Sequence, residues 1–191
     1  MIQIAVFASG TGSNAQQIIQ HFRASTHAAI SLIVCNKPGA GVIDIAAAAN
    51  IPVLMIEKEK FFQGNAYTDE LKTRGIDFIV LAGFLWKLPS KLVAAYTGRI
   101  INIHPALLPK FGGKGMYGNY VHEAVIKAGE KESGITIHYV DEWYDHGNII
   151  FQASCPVDEN ETPASLARKI NMLEHANYAA IIEKTVQTAK S

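Results

Sequence analysis

The sequence predicts an α/β fold, in which a doubly wound, mostly parallel sheet carries helices on both faces and has an antiparallel C-terminal portion. Strand-length segments are apolar throughout, helical patterns separate them, and a glycine-rich turn joins the first strand to the first helix. Strands that are apolar on both faces are typical of parallel sheets covered by helices on each side. The chain of 191 residues is long enough for one filled core, so we expect a single domain over residues 1–191.

The predicted elements follow in a regular order. The first five strands are expected to be buried and cover residues 2–8, 30–35, 52–56, 78–82 and 100–103. The helices between them are predicted around residues 18–22 and at residues 42–50, 66–74 and 90–95. A helix at 121–128, strands at 134–140 and 149–155, and a last helix from Thr162-Pro163 to about Gln187 complete the chain. Residues 134–140 alternate between apolar and polar, which indicates a half-exposed antiparallel strand.

The charge composition of the chain argues against two classes of binding partner. Lys plus Arg equals Asp plus Glu at 17 each, so no overall field attracts nucleic acid or an anionic membrane. Cys35 and Cys155 lie far apart in apolar stretches, without metal or redox spacing, and are predicted to be buried thiols in a reducing compartment. The apolar start of the chain has no basic region and turns polar at Ser9, which argues against a signal peptide or membrane span. We therefore expect a cytoplasmic protein.

The turn after the first strand predicts a phosphate site. Gly10 and Gly12 let the backbone approach a ligand, and the helix that follows presents unpaired N–H groups at its N-terminus. The turn fits the loose dinucleotide fingerprint, but Asn36 stands where an acidic ribose ligand is expected, and no Walker-type lysine follows. A phosphate monoester is thus favoured over a dinucleotide or triphosphate, and a plain tight turn is the alternative.

Asn102 and His104, at the end of the fifth strand, are the leading candidates for chemistry. Residues i and i+2 of a strand project to the same side, so both side chains can reach one pocket. An amide N–H can stabilise a developing oxyanion, and an imidazole can move a proton near neutral pH. This pair suits addition to a carbonyl, whereas a hydrogen-bonded structural histidine is the alternative. Pro105 and Pro109 then fix a shaped loop.

Two further segments are candidates for contacts with substrates. The apolar and aromatic segment Leu85–Leu88 either lines a pocket for a flat heterocycle or packs on the core. The segment Phe111–Gly118 has four glycines in eight residues, which favours a mobile loop over the substrate against a plain surface connection. Its Lys114 is expected to be solvated.

The loop between the last two strands supplies a carboxylate. Asp145, next to aromatic residues and followed closely by a glycine, is predicted to contact His104, while Asp141 and Glu142 are expected to be solvated. Metal binding by Asp145 with His138 and His146 is disfavoured because no pair has a characteristic ligand spacing.

Four motifs make the chain resemble the folate-dependent formyltransferases over residues 4 to about 178, and most closely the branch that acts on glycinamide ribonucleotide. They are residues 8–14 (ASGTGSN), 81–84 (LAGF), 102–109 (NIHPALLP) and 145–147 (DHG). The third motif, with Asp145 downstream, is specific for formyl transfer from 10-formyltetrahydrofolate, and the first separates this branch from its relatives.

The resemblance implies a role for each candidate in de novo purine biosynthesis. Asn102 would stabilise the oxyanion, and His104, assisted by Asp145, would move protons as the glycinamide amine takes the formyl group. The residues implied to bind glycinamide ribonucleotide are Gly10, Thr11, Gly12, Ser13, Asn14 and Glu174, although position alone predicts a solvated Glu174 in mid-helix. The residues implied to bind folate are Leu85, Trp86, Lys87, Leu88, Asn102, Asp141, Glu142, Trp143, Tyr144 and Asp145. The co-substrate would be 10-formyltetrahydrofolate, no metal or nicotinamide is required, and a homodimer is the candidate assembly.

The chain departs from the family pattern at Gly64, where an arginine is usual, and at Lys87, where an aliphatic residue is usual. Both positions concern folate binding more than chemistry. The alternatives within the chemistry are a formyltetrahydrofolate hydrolase, a methionyl-tRNA formyltransferase and a nucleotide-sugar formyltransferase. The first two are disfavoured because each is expected to carry an additional domain. A non-catalytic phosphate-binding module and a nicotinamide oxidoreductase are the alternatives from other classes.

Overall fold

The fold was analysed in a computed structural model, which describes residues 1–188. In this part of the chain, seven strands form one sheet in the order β3-β2-β1-β4-β5-β6-β7. Strands β1 to β5 run parallel, whereas β6 is antiparallel to β5 and β7 is antiparallel to β6. The strands are β1 (Ile2–Ala8), β2 (Ala28–Cys35), β3 (Val53–Met55), β4 (Phe78–Leu81), β5 (Ile100–His104), β6 (Glu132–Tyr139) and β7 (Ile149–Pro156).

Helices cover both faces of the sheet, as the continuous apolar strands require. The helices are α1 (Ser13–Phe22), α2 (Gly41–Ala48), α3 (Lys58–Gln63), α4 (Ala66–Thr73), α5 (Ser90–Ala95), α6 (Asn119–Lys127) and α7 (Pro163–Thr188). Alternate side chains of β1 point to opposite faces: Ile4 and Val6 pack into a core with α1, α2, α6 and α7, while Ala5 and Phe7 pack into a second core with α3, α4 and α5. The predicted doubly wound class with an antiparallel end is confirmed.

Each predicted strand and helix is present with similar bounds, and the structure adds one helix. Strand β1 and helix α5 have the predicted limits, and α7 begins at Pro163 as expected. Helix α3 was not predicted, because its six residues are too few to show a helical period and Phe61 is its one buried side chain. Helices this short depend on tertiary packing more than on their own sequence.

Three predictions about burial, for two strands and for Cys155, are wrong. The third strand, expected to be buried, lies at the edge of the sheet, and Met55 at its end is 40% exposed. Strand β6, expected to be half-exposed, is buried on both faces, because α7 packs on one face and the loop after β5 covers the polar residues of the other. The half-exposed alternation belongs to the edge strand β7 instead, so its Cys155 is half-buried, unlike the fully buried Cys35.

A glycine in β6 permits this close packing. A Cβ on Gly134 would collide with the carbonyl oxygen of Ala153 on β7 and lie 2.7 Å from Cδ2 of Leu107. We expect Gly134→Ala to lower the free energy of unfolding by about 1–3 kcal/mol, measured by urea denaturation, because an overpacked site must distort its neighbours. Gly64→Ala is the matched control, since its new methyl group would have only the backbone nitrogen of Ala66 nearby, at 3.9 Å. Equal stabilities for the two variants would contradict this account.

Candidate active site

A cleft of about 660 Å³ opens at the carboxyl ends of the parallel strands. The strand order reverses between β1 and β4, and the crevice at such a reversal is where open α/β sheets bind ligands. Its walls come from the start of α1, the β4–α5 segment, β5, the glycine-rich loop, α6, the β6–β7 loop and α7. Segments far apart in sequence therefore share one cavity.

Asn102 and His104 both line this cleft, as expected for alternate residues of one strand. Register places Asn102 opposite His138 and His104 opposite Thr136 of β6. The imidazole of His104 is 3% exposed, and its Nε2 lies 2.8 Å from the carbonyl oxygen of Phe111. Since a carbonyl can only accept, Nε2 carries a proton, and Nδ1 is left on the side of Asp145.

Asp145 joins the two histidines. Its Oδ2 lies 3.6 Å from Nδ1 of His104, and its Oδ1 lies 3.7 Å from Nε2 of His138. The Gly113 backbone N–H donates to Oδ2 at 2.9 Å, and Asp145 itself adopts a left-handed backbone conformation with φ of 52°. Aspartate tolerates this region better than most residues. The carboxylate is thus held beside Nδ1 of His104.

His138 orients the amide of Asn102. Its Nδ1 donates to the carbonyl oxygen of Tyr139 at 2.8 Å, so its Nε2 is free to accept from Nδ2 of Asn102 at 3.2 Å. Burial, opposed by that backbone hydrogen bond, lowers the pKa of His138, which favours this neutral form. One amide N–H of Asn102 is therefore used by His138, and the other remains for a ligand. Sequence reasoning had considered His138 only as a metal ligand, because the pairing of β5 with β6 cannot be read from spacing.

Asn14 and Glu174 form the second polar group of the cleft. The Nδ2 of Asn14 donates to Oε2 of Glu174 at 2.8 Å, and both residues line the cavity. Glu174 is half-buried, so the expectation of a solvated side chain in mid-helix is wrong. Burial raises the pKa of Glu174, and the hydrogen bond from Asn14 acts in the opposite direction. This pair offers acceptors and a donor to a polar ligand.

The other residues of the glycine turn lie at the start of α1, where α2 packs close to the turn. Gly10 and Thr11 are exposed, Ser13 begins α1, and Gly12 has φ of 82°. A Cβ on Gly12 would come within 2.8 Å of Cα of Val42, so this glycine allows α2 to approach. Asn14 is the residue of the turn that lines the cleft, and the role of the other four as phosphate ligands stays a prediction.

The opposite end of the cleft is apolar and aromatic. Leu88 is buried in the second core and Trp86 packs against Phe61 and Phe84, whereas Leu85 is 56% exposed. The segment therefore both packs on the core and lines the cleft. Its position is fixed in part by a hydrogen bond from the Leu85 backbone N–H to Oγ of Ser9 at 3.0 Å.

The β6–β7 loop faces that segment. The ammonium of Lys87 lies 5.4 Å from the ring centre of Tyr144 and 6.0 Å from that of Trp143, within the range of cation–π attraction. Asp141 lines the cleft and contacts Nδ1 of His146 at 2.8 Å, while Glu142 is exposed and does not line it. The structure thus brings every predicted folate residue except Glu142 to the cleft.

The glycine-rich loop lines the cleft from Gly113 to Gly118, and its Lys114 is exposed. Mobility of this loop stays a prediction. Within residues 1–188, no group of three His, Cys, Asp or Glu side chains could hold a metal ion. Across the same residues, no helix has the length and hydropathy needed to cross a membrane.

A doubly wound sheet with an amide, an imidazole and a carboxylate converging in one cleft is an arrangement typical of α/β enzymes. The chain belongs to the formyl transferase family, whose model matches residues 2–182. This confirms the resemblance drawn from the four motifs.

Individual relatives of the chain are also named as formyltransferases. The chain is 42% identical to phosphoribosylglycinamide formyltransferase, chloroplastic, of Arabidopsis thaliana over 186 residues, which is 94% of this chain and 64% of that protein. It is 38% identical to phosphoribosylglycinamide formyltransferase of Bacillus subtilis (strain 168), covering 96% of this chain and 94% of that protein. A crystal structure of phosphoribosylglycinamide formyltransferase from Bacillus halodurans superposes with a TM-score of 0.87 at 38% identity, covering 98% of this chain and 96% of that one. The chain spans less than two thirds of the length of the plant relatives it matches, 64% and 60%.

The two neutral histidines of the cleft should make the fold sensitive to acid. Burial lowers the pKa of both His138 and His122. The unfolded chain therefore takes up protons below its ordinary histidine pKa, near 6.5, that the folded chain excludes, so the stability present above that pH is lost as the pH falls through it. We expect the free energy of unfolding in urea to fall between about pH 7.5 and about pH 5.5, and His138→Gln to show a smaller fall.

His27→Gln is the matched control for this experiment, since His27 is exposed and its replacement should leave the full fall in place. A fall that is the same in His138→Gln as in the parent protein would show that His138 is not held neutral.

Proposed function

We propose that this protein transfers the formyl group of 10-formyltetrahydrofolate to the amine of N1-(5-phosphoribosyl)glycinamide, a step of purine biosynthesis. The arrangement of Asn102, His104 and Asp145 in the cleft carries the proposal. The names of the relatives identify the acceptor. A reducing compartment such as the cytoplasm suits the two free cysteines, which lie on separate strands.

The two ends of the cleft suit the two substrates. The Asn14–Glu174 pair and the N-terminus of α1 favour the ribose and phosphate of the acceptor, since a helix N-terminus attracts anions. The aromatic end, with Tyr144 and the Leu85–Leu88 segment, favours the flat pterin of the donor. Asn102 and His104 lie between them on β5, where the amine and the formyl group would meet.

The chemistry then follows from the hydrogen bonds. As the glycinamide amine forms a bond to the formyl carbon, the carbonyl oxygen becomes an oxyanion, and the free N–H of Asn102 stabilises it. His104 accepts a proton from the attacking amine, and Asp145 stabilises the imidazolium. The proton then passes to N10 of the folate as the bond between N10 and the formyl carbon breaks, which releases tetrahydrofolate and the formylated amide. These steps consist of proton transfer and electrostatic stabilisation.

A hydrolase that releases formate from the same donor is the second candidate, because its reaction would use the same three residues. A module that binds phosphate without catalysis is the third candidate. It would not explain why the three residues converge in the cleft.

Folate release with and without the acceptor separates these functions. We expect the absorbance of the released folate to rise when the purified protein receives both 10-formyltetrahydrofolate and N1-(5-phosphoribosyl)glycinamide, and to stay flat without the acceptor. Release that needs no acceptor would indicate the hydrolase. Acceptor binding without release in either condition would indicate the binding module.

Replacement of the reacting residues tests the mechanism. Asn102→Ala should lower turnover by roughly a hundredfold to a thousandfold, the usual loss for one oxyanion donor. His104→Ala should cost about a hundredfold to ten-thousandfold, because the proton carrier is removed. Asn160→Ala and His27→Ala, at exposed positions, are the matched controls and should keep parental turnover. Folded Asn102→Ala or His104→Ala protein with near-parental turnover would refute the assignment.

A further inference from the structure

His122 is a buried residue of the cleft that the proposed mechanism does not use. It lies on α6, is 6% exposed, and lines the cavity. Its Nδ1 is enclosed and has no hydrogen-bond partner, and no residue in the range 1–188 bonds its Nε2. Buried imidazoles are normally hydrogen-bonded, so a ring without partners beside a binding cleft calls for one from outside the protein.

The surroundings of His122 indicate which of its two ring nitrogens carries the proton. Burial, and then the charge of His104, lower the pKa of His122, so its ring is neutral near pH 7 and has one N–H. An unpaired buried donor is rarer than an unpaired buried acceptor, which places the proton on Nε2 instead of the enclosed Nδ1. His122 lines the cleft, and the N–H on Nε2 is the donor that its ring can offer to a ligand. His122 therefore presents a single fixed donor.

Helix packing associates that donor with the α7 wall of the cleft. Helix α6 packs against α7, and Asn171 and Glu174 of α7 line the same cavity. Lys87 and Tyr144 mark the other, aromatic end. His122 thus lies on the helix that packs against the wall bearing Asn171 and Glu174, the wall that suits the ribose and amide of the acceptor.

We propose that His122 is a binding residue for the acceptor and donates its Nε2–H to an oxygen of the phosphoribosyl-glycinamide molecule. The inference rests on the proposed function, because it assumes that this acceptor occupies the Glu174 half of the cleft. The hydrogen bond holds the acceptor in place while His104 handles its proton. It gives Nε2 of the imidazole a partner, while the enclosed Nδ1 remains an unprotonated acceptor.

Two substitutions with different donors test this role. His122→Phe fills a similar volume without a donor, and we expect it to raise the KM for the acceptor about tenfold, with the KM for 10-formyltetrahydrofolate within about twofold of the parent. His122→Gln places an amide N–H near the position of Nε2 and should restore most of the loss. His122→Asn places its amide near Nδ1 and should not. Glu123→Gln, at an exposed position of the same helix, is the control.

The outcomes separate binding from structure. An unchanged acceptor KM in His122→Phe overturns the inference while the proposed function stands, and so does an equal rise in both KM values. If His122→Phe does not fold, the comparison of His122→Gln with His122→Asn decides, and equal acceptor KM values for these two overturn the inference. If the unmodified protein does not turn over this acceptor, the proposed function fails and the inference fails with it.

Discussion

The antiparallel pairing of β5 with β6 is the constraint on which the rest of the cleft depends. It sets Asn102 opposite His138 and His104 opposite Thr136. Because side chains alternate between the two faces of a strand, a slip of one residue would turn both Asn102 and His104 away from the cleft. The hydrogen bond between Asn102 and His138 exists only in this register. The strand register therefore also fixes the orientation of the amide.

The same strand also fixes the proline loop. The hydroxyl of Thr136 donates to the carbonyl oxygen of Ala106 at 2.7 Å and accepts the backbone N–H of Leu108 at 3.0 Å. Gln152 of β7 adds donors to that hydroxyl and to the carbonyl of Leu108. The loop leads to Phe111, whose carbonyl oxygen accepts a hydrogen bond from Nε2 of His104. Buried polar groups of this kind are stable only when each is satisfied, and this network therefore holds His104 in one orientation.

Local patterns in the sequence predicted the elements and several site residues, whereas long-range packing could not be predicted. The alternation of Asn102 and His104 on one strand and the glycine turn before Asn14 are local, and the structure agrees with what they indicate about position. The burial of β6, the partner of Asn102 and the enclosure of His122 depend on which elements lie side by side. A single sequence carries no direct signal for that. The burial of Glu174 could not be predicted for the same reason, because its hydrogen-bond partner lies on α1, 160 positions away in the chain.

The cleft contains three imidazoles, and they differ in their hydrogen-bond partners and in the groups that shift their pKa values. His138 and His122 are both pushed towards the neutral form by burial, and the charge of His104 lowers the pKa of each further. A proton on His104 thus discourages protonation of its two neighbours. His104 and His138 each place one ring nitrogen on a backbone carbonyl and the other near the carboxylate of Asp145. They differ because Nε2 of His138 also accepts the amide of Asn102, whereas no donor among residues 1–188 bonds Nδ1 of His104. Different environments separate acid–base roles among chemically identical groups, and the proposed mechanism accordingly assigns the moving proton to His104 and fixed hydrogen bonds to His138 and His122.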